Sequence, residues 1–172
     1  MFEVCDLEPW HLHAIERQPS QRVQLGIPIE TISAAEAEDL ADQQTTAAFL
    51  RDGVPIGVMG VAETFPGTAG VAWAIFAPGL GADHLAMTRE ARRRLDRSPL
   101  ARIEAVAPCA EIERFLVLVP EATPNDRIRA VTYPPYRTPE IRWAMALGFE
   151  PAHVLRKYGA AAETHLLLER IR

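Results

Sequence analysis

The sequence predicts a single α+β domain, and three features of its residue pattern support this class. Three strand-like runs follow one another between Thr45 and Gly79, divided by turn residues. Two further strand-like runs end the chain after Phe149. Helical patterns with capping residues alternate with these strands, beginning at Ser33 and at Thr138. The chain of 172 residues is long enough for one domain with a sizeable core.

The composition excludes several broad classes. Hydrophobic residues make up 48% and charged residues 24%, which are globular proportions, and the net charge of -5 gives no general attraction to nucleic acid or anionic membranes. Two cysteines do not make a disulfide framework. The first residues lack the pattern of a signal peptide, and the apolar runs fall short of the ~18 residues of a spanning helix. We therefore expect a soluble protein without a membrane partner.

The first third of the chain predicts one strand and two helices. "FEVCDL" has the pattern of a short strand, and "EPWHLHAIER" that of a helix with Pro9 near its start. A looser stretch, "QPSQRVQLGIPIE", follows. Ser33 and Glu36 have the spacing of a capping box, in which each side chain accepts from the other's free backbone N–H. An acidic helix is therefore expected over "ISAAEAEDLADQQ".

The middle of the chain predicts three antiparallel strands, a helix and a strand. The dividers "RDG" and "FPGTAG" have the glycine and proline content of hairpin connections. After "APGLGAD", apolar residues recur at helical spacing from Leu85 to Leu95. "ARIEAVAPC" then favours a strand.

The last part of the chain is less uniform. "AEIERFLVLVP" fits a short helix or a strand, and one strand is expected at "RIRAVTY". "TPEIRWAMALGF" predicts a helix with Thr138 as N-cap, Pro139 as its first residue and Gly148 just past its end. "EPAHVLRKYG" and "ETHLLLERI" predict two final strands joined by "GAAA".

This order of elements resembles the GNAT fold of Gcn5-related N-acetyltransferases. The motifs that carry the resemblance are "GVPIGVMGVAETFPGTAGVAWAIF", for the central strands, and "RWAMALGFEP", for the last helix with its "LGF" ending. The resemblance implies a single GNAT-like domain over 1–172, with a mixed, mostly antiparallel sheet and helices on both faces. Residues from about 110 to 137 look like an insertion.

A narrower resemblance concerns phage proteins. The "PG…GV.W" hairpin, the Arg-Trp helix before "LGFE" and the "LRKYG" strand are similar to GNAT-like proteins encoded among the virion genes of short-tailed phages. This resemblance implies a component of a phage particle, found in the host cytoplasm and in the virion, whose partners are other phage structural proteins.

The GNAT resemblance implies a cofactor site in "FAPGLGAD". In GNAT enzymes the matching loop reads Gln/Arg-x-x-Gly-x-Gly/Ala, and its backbone N–H groups at a helix N-terminus hold the pyrophosphate of acetyl-CoA. The matching positions here are Gly79, Leu80, Gly81 and Ala82. Phe76 stands in place of Gln or Arg, and Asp83 adds negative charge. A plain turn followed by a helix is the alternative interpretation.

The catalytic positions implied by the resemblance are incomplete. GNAT enzymes often carry a tyrosine acid on the last helix, four residues before the glycine of "GF", and this chain has Ala144 there. Glu63 is the carboxylate on the central strands and the candidate general base; its alternative role is an exposed strand-end charge. Other candidates are three possible acids and one possible nucleophile, namely Tyr133, Tyr136, Tyr158 and Cys109.

Two functions from different classes therefore remain open. The first is a non-catalytic structural or assembly component of a phage particle, with 112–136 and Arg89–Arg97 as candidate contact segments. The arginines of the second segment are equally consistent with a solvated helix face. The second function is an active acetyl-CoA-dependent N-acetyltransferase that uses Glu63.

Overall fold

A computed structural model describes residues 1–21, 23–24, 27–28, 31–43, 45–109 and 112–172. In chain order the strands are β1 Phe2–Cys5, β2 Val23–Gln24, β3 Ile27–Pro28, β4 Ala47–Arg51, β5 Val54–Phe65, β6 Ala69–Phe76, β7 Arg102–Pro108, β8 Glu150–Leu155 and β9 His165–Ile171. The helices are α1 Pro9–Ala14, α2 Ala34–Ala41, α3 Asp83–Arg97, α4 Ile112–Leu118, α5 Pro124–Thr132 and α6 Pro139–Ala146, with 3₁₀ turns at Pro19–Gln21 and Pro134–Tyr136. Two compact units result, one of Met1–Gln24 with Pro28–Ile103 and one of Leu25–Ile27 with Glu104–Arg172.

Antiparallel strands in the order β1-β4-β5-β6 form the sheet of the first unit. β4 and β5 are joined by a tight turn at Asp52 and Gly53, which both have positive φ. Met59 pairs with Ala47 on one side and with Ala74 on the other. The prediction of three consecutive antiparallel strands is confirmed.

Helix α3 packs against this sheet through one apolar stripe. Met87, Ala91 and Leu95 recur every four residues, and all three are buried. A Cβ atom at Gly57 of β5 would lie 2.1 Å from Met87 Cε, so the end of the Met87 side chain occupies the space beside Gly57. This contact packs the first half of α3 against the part of β5 that pairs with the end of β6.

The two helices predicted near the N-terminus are present. Glu8 precedes α1, which is shorter than "EPWHLHAIER". Ser33 and Glu36 form the expected capping box on α2, with Ser33 N–H donating to the Glu36 carboxylate at 2.9 Å. Within the looser stretch "QPSQRVQLGIPIE", residues 22, 25, 26, 29 and 30 lie outside the described residues.

In the second unit, β9 lies between β7 and β8 and pairs antiparallel with β8. Thr138 caps α6 by accepting from Ile141 N–H, and Gly148 follows the helix with a φ of 89°. The apolar faces of the final helix and strands are buried, including Ile141, Leu166 and Leu168. The prediction of a capped helix followed by two strands is confirmed.

The strand predicted at "RIRAVTY" is wrong, because all of these residues but Tyr133 belong to helix α5, and Tyr133 caps its end. Thr123 and Asp126 form a capping box, and Pro124 occupies the first turn, so the local signals favour a helix start. "AEIERFLVLVP", which fitted either class, contains helix α4. Residues 110 and 111 of the expected insertion lie outside the described part of the chain.

The predicted α+β class, with mostly antiparallel strands, is confirmed. None of the described helices is long and apolar enough to cross a membrane. The division into one domain with an insertion at about 110–137 stays a prediction.

Candidate functional site

The loop between β6 and α3 presents backbone N–H groups at a helix N-terminus. Gly79 and Gly81 have φ of 72° and 56°, which favour glycine at both positions. Asp83 N–H donates to Leu80 O at 3.2 Å and closes the loop onto the helix. Within the described residues, the amides of Gly79, Leu80, Gly81 and Ala82 have no acceptor. These four residues are the cofactor positions expected from the sequence, and their amides remain available to an anion.

Arg51, at the end of β4, holds the opposite side of this loop. Its Nη2 donates to Leu80 O at 2.8 Å and to Gly79 O at 3.4 Å. In a trans peptide the C=O and the following N–H point in opposite directions. The carbonyls of Gly79 and Leu80 therefore face Arg51, while the amides of Leu80 and Gly81 point away from it.

The same arginine also pairs with Asp83, whose negative charge is expected to disfavour phosphate. Arg51 Nε donates to Asp83 Oδ2 at 2.7 Å, and their side chains are 41% and 25% exposed. This ion pair offsets the negative charge of Asp83 beside the open amides. Sequence reasoning missed Arg51, because nothing in "FLRDG" marks it as a partner of a loop 28 residues away.

Phe76, which stands where GNAT enzymes carry Gln or Arg, has a buried ring. The ring meets His84 in an edge contact, with ring centroids 6.3 Å apart. Its backbone N–H donates to Gln21 Oε1 at 2.7 Å. The side chain at this position therefore contributes packing under the loop rather than a polar group.

Glu63 lies away from this loop, within the same unit. On β5 it pairs with Gly70 of β6, whereas Gly57 pairs with Phe76 at the loop end. Six residues of strand separate Glu63 from Gly57, a distance of roughly 20 Å. Glu63 Oε2 accepts from Gly67 N–H at 2.8 Å and so stabilises the turn between β5 and β6. The structure does not bring Glu63 to the loop, and its role as general base stays a prediction.

Ala144 is buried in the second unit and offers no proton. Tyr133 and Tyr136 lie against each other, with centroids 6.0 Å apart, and about half of each side chain is exposed. Tyr158 contacts His165 edge-on at 5.8 Å.

Cys109 does not have the surroundings of a nucleophile. Burial, with the nearby charge of Glu113, raises the pKa of its thiol to about 12. The thiol donates to Thr164 O at 3.4 Å. At neutral pH it is protonated and inaccessible, whereas a reactive cysteine needs an exposed thiolate.

A cysteine and a histidine that the sequence did not connect lie together in the first unit. Cys5 Sγ and His11 Nε2 are 3.7 Å apart. His11 Nδ1 accepts from Glu8 N–H at 2.9 Å, so the proton of the neutral ring is on Nε2 and faces the sulfur. Burial lowers the pKa of His11, and burial followed by Glu3 raises that of Cys5. His11 therefore donates to the thiol and does not serve as its base.

The arginine segment of α3 contains local ion pairs. Glu90 accepts from Arg93 Nη2 at 2.6 Å and from Arg94 Nε at 2.8 Å. These bonds, that from Arg93 first, lower the pKa of Glu90. Arg94 also donates to Thr46 O. In the described part of the chain, no group of three His, Cys, Asp or Glu side chains is arranged to hold a metal.

Comparison with known proteins gives matches at the level of structure. No protein-family model matches the chain, and no curated protein sequence matches it. The loading GNATL domain of CurA from Lyngbya majuscula has a TM-score of 0.68 at 9% identity, covering 99% of this chain and 98% of that one. A GNAT-family acetyltransferase from Streptococcus pneumoniae has a TM-score of 0.60 at 11% identity, covering 99% of both chains.

The chain has the GNAT fold. A third similar structure is the GphF GNAT-like decarboxylase in complex with isobutyryl-CoA, with a TM-score of 0.64, 11% identity and coverage of 99% of this chain and 98% of that one. At these identities the likeness establishes the GNAT architecture alone. The loop at Gly79–Ala82 lies between the strand and helix of that architecture where the sequence resemblance implied a pyrophosphate site.

Proposed function

We propose that this protein is a GNAT-fold protein that binds acetyl-CoA, or a related acyl-CoA, at Gly79–Ala82. The observation that carries the proposal is the orientation of the loop. Arg51 holds the carbonyls of Gly79 and Leu80, and the amides of the loop have no acceptor among the described residues. Open amides at the start of a 15-residue helix suit a diphosphate.

The residues present fit the cofactor in a specific way. The amides of Leu80, Gly81 and Ala82 would hold the pyrophosphate, and Arg51 would keep Asp83 from repelling it. When bound, acetyl-CoA supplies an acetyl group activated as a thioester. The acyl-CoA in the GphF complex supports an acyl-CoA as the ligand class.

Transfer of the acetyl group would be slow in this chain. Ala144 replaces the tyrosine acid, and general acid catalysis typically contributes about 10²–10⁴ in rate. Glu63 is held by Gly67 at the far end of the hairpin. The proposal is therefore one of cofactor binding, and active N-acetyltransfer with Glu63 as base has less support.

Substitution of Gly81 by aspartate tests cofactor binding. The new carboxylate would lie beside the phosphates and would also strain a residue with φ of 56°. Gly67→Asp is the matched control, because Gly67 also has positive φ and nothing within 4 Å of an added Cβ. A ligand that binds only the folded state raises the free energy of unfolding, by about 2.7 kcal/mol at a ligand concentration of a hundred times Kd, and so raises the melting temperature.

We expect millimolar acetyl-CoA to raise the melting temperature of the wild type and of Gly67→Asp, but not that of Gly81→Asp. Differential scanning fluorimetry measures all three. A wild-type transition that does not move with acetyl-CoA would contradict the proposed function.

An exposed apolar surface favours a second candidate function, a non-catalytic structural component of a phage particle. Val117, Leu118 and Val119 are 79%, 81% and 41% exposed, and Tyr133 and Tyr136 are also exposed. Apolar side chains clustered in solvent favour a protein contact. Segment 112–136, with Arg89–Arg97, would then contact other phage structural proteins in the virion. This candidate predicts no response to acetyl-CoA, so the same titration separates the two.

A further inference from the structure

The end of strand β6 nearest the loop has an edge that faces away from β5. Ala77 N–H donates to Ile56 O of β5 at 2.9 Å. Backbone groups of successive strand residues point to opposite sides. The N–H and C=O of Phe76, and those of Ala74, therefore point to the other side, which we call the outer edge of β6.

Two glutamines of the chain itself cover this outer edge. Gln21 makes a two-point contact, in which its Nε2 donates to Ala74 O at 3.1 Å and its Oε1 accepts from Phe76 N–H at 2.7 Å. Gln18 N–H donates to Phe76 O at 2.9 Å, and Gln18 Nε2 donates to Ala77 O at 3.1 Å. The backbone groups that a neighbouring strand or an extended ligand would use are thus taken.

In the part of the chain that the structure describes, the segment that carries the glutamines is short and not buried. Gln18 to Gln21 is a single 3₁₀ turn, closed by Gln21 N–H donating to Gln18 O at 2.9 Å, and the turn has no buried residue. Its hold on β6 therefore depends on hydrogen bonds that water or a ligand can replace at modest cost.

A carboxamide has one acceptor oxygen and two donor hydrogens, the same groups that a secondary amide offers to a strand edge. The outer edge ends at Phe76, three residues before the first open amide at Gly79. An acyl-CoA carries its diphosphate and the two amides of its thiol-bearing arm in one molecule. With the diphosphate on Gly79–Ala82, those amides would reach the groups that Gln18 and Gln21 occupy.

We propose that Gln18 and Gln21 form an internal clip that competes with the amide-bearing arm of an acyl-CoA for the outer edge of β6. In the free protein the clip is closed, and the arm docks only when the clip is released. The apparent affinity for the cofactor is lowered by the fraction of closed molecules. This inference rests on the proposed cofactor binding and adds an intramolecular competitor to it.

The double substitution Gln18→Ala/Gln21→Ala tests the clip, with coenzyme A and ADP as the two probes. Coenzyme A has both the diphosphate and the amides, whereas ADP has the diphosphate alone. Removing three side-chain hydrogen bonds of the clip should tighten coenzyme A binding about tenfold in isothermal titration. The affinity for ADP should not change, because ADP does not reach the outer edge.

Gln43→Ala is the matched control. Gln43 also contacts β6 through its carboxamide, but it accepts from the side chain of Trp73 at 2.8 Å rather than from the strand edge. Its substitution should leave both affinities unchanged. Gln21→Glu is a second variant that keeps the acceptor for Phe76 N–H and loses the donor to Ala74 O, so it should give a smaller gain than the double substitution.

Amide exchange gives a readout that does not depend on affinity. The Phe76 N–H should exchange slowly in the wild type, faster in Gln21→Ala, and slowly again once coenzyme A is added to that variant. A double variant that folds and binds coenzyme A no more tightly than the wild type overturns the clip and leaves cofactor binding intact. Coenzyme A that binds neither protein overturns both proposals.

Discussion

At the scale of single residues, Arg51 has the largest consequence for the candidate site. It contacts two loop carbonyls and the Asp83 carboxylate, and these bonds determine which way the loop amides point. An arginine suits this task because its planar guanidinium offers several donors in a fixed geometry. The loop is therefore ordered by a side chain outside it.

Arg51→Met should weaken both the fold and the site. Loss of the carbonyl and carboxylate partners should lower the free energy of unfolding by about 1–2 kcal/mol, since the pair is partly exposed. Coenzyme A should bind at least tenfold more weakly, which isothermal titration measures. Arg93→Met, which removes an ion pair on the exposed face of α3, is the control and should leave binding unchanged. Unchanged affinity in Arg51→Met would show that the loop orders itself.

The raised pKa of the Cys109 thiol predicts that the folded state loses stability in alkali. Its folded pKa of about 12 lies above its ordinary value of 9.0, so the folded state holds the proton more tightly. The corresponding stability is complete below about pH 9 and is lost as the pH rises toward 12. Urea unfolding between pH 8 and about pH 10.5 should show a steep decline in the wild type and a shallower one in Cys109→Ala. An equal decline in the wild type and in Cys109→Ala would rule out Cys109 as the cause.

At the scale of elements, the helix starts were better marked than the helix bodies. The N-cap residues Ser33 and Thr138 correctly predicted the starts of α2 and α6. Thr123 is likewise an N-cap residue before α5. The β-branched residues of "RIRAVTY" favoured a strand, but a capping box and a proline in the first turn outweighed that propensity. Local capping was the stronger signal in this segment.

Thr123→Ala should therefore destabilise the second unit. Loss of an N-cap threonine typically costs about 1 kcal/mol. The Thr123 hydroxyl and then its N–H lower the pKa of Asp126, so this contribution is present above the ordinary pKa of aspartate and is lost as the pH falls through the lower folded value. Thermal unfolding should show a clear difference from the wild type at pH 7 and a smaller one at about pH 3. Thr123→Ser, which keeps the hydroxyl, should behave as the wild type; equal destabilisation by both variants would exclude the cap.

At the scale of the whole molecule, the sequence predicted the loop at Gly79–Ala82 and most of the element order, apart from the strand wrongly expected at "RIRAVTY", because both follow from local patterns. Turn residues, caps and strand runs act over a few positions. The contacts that complete the site do not follow from local patterns. Arg51 and Asp83 are 32 positions apart, and Gln21 and Phe76 are 55 apart. Partners at such separations are chosen by packing, which periodicity does not encode.

The positions implied for cofactor binding and for catalysis differ in what the structure places there. The loop proposed to bind the cofactor has amides without acceptors among the described residues, whereas Glu63 bonds to a hairpin turn and Ala144 carries only a methyl group. The proposal therefore assigns binding rather than catalysis to the chain, because function depends on the residues of a site and does not follow from the fold alone.

The burial of Ala144 also limits how this chain could change. Only 6% of the residue is exposed, so the larger ring of a tyrosine would meet the residues that pack around it. Forcing a ring into a packed interior typically costs about 1–3 kcal/mol. A tyrosine at this position would thus require accompanying replacements among the residues that pack around the helix.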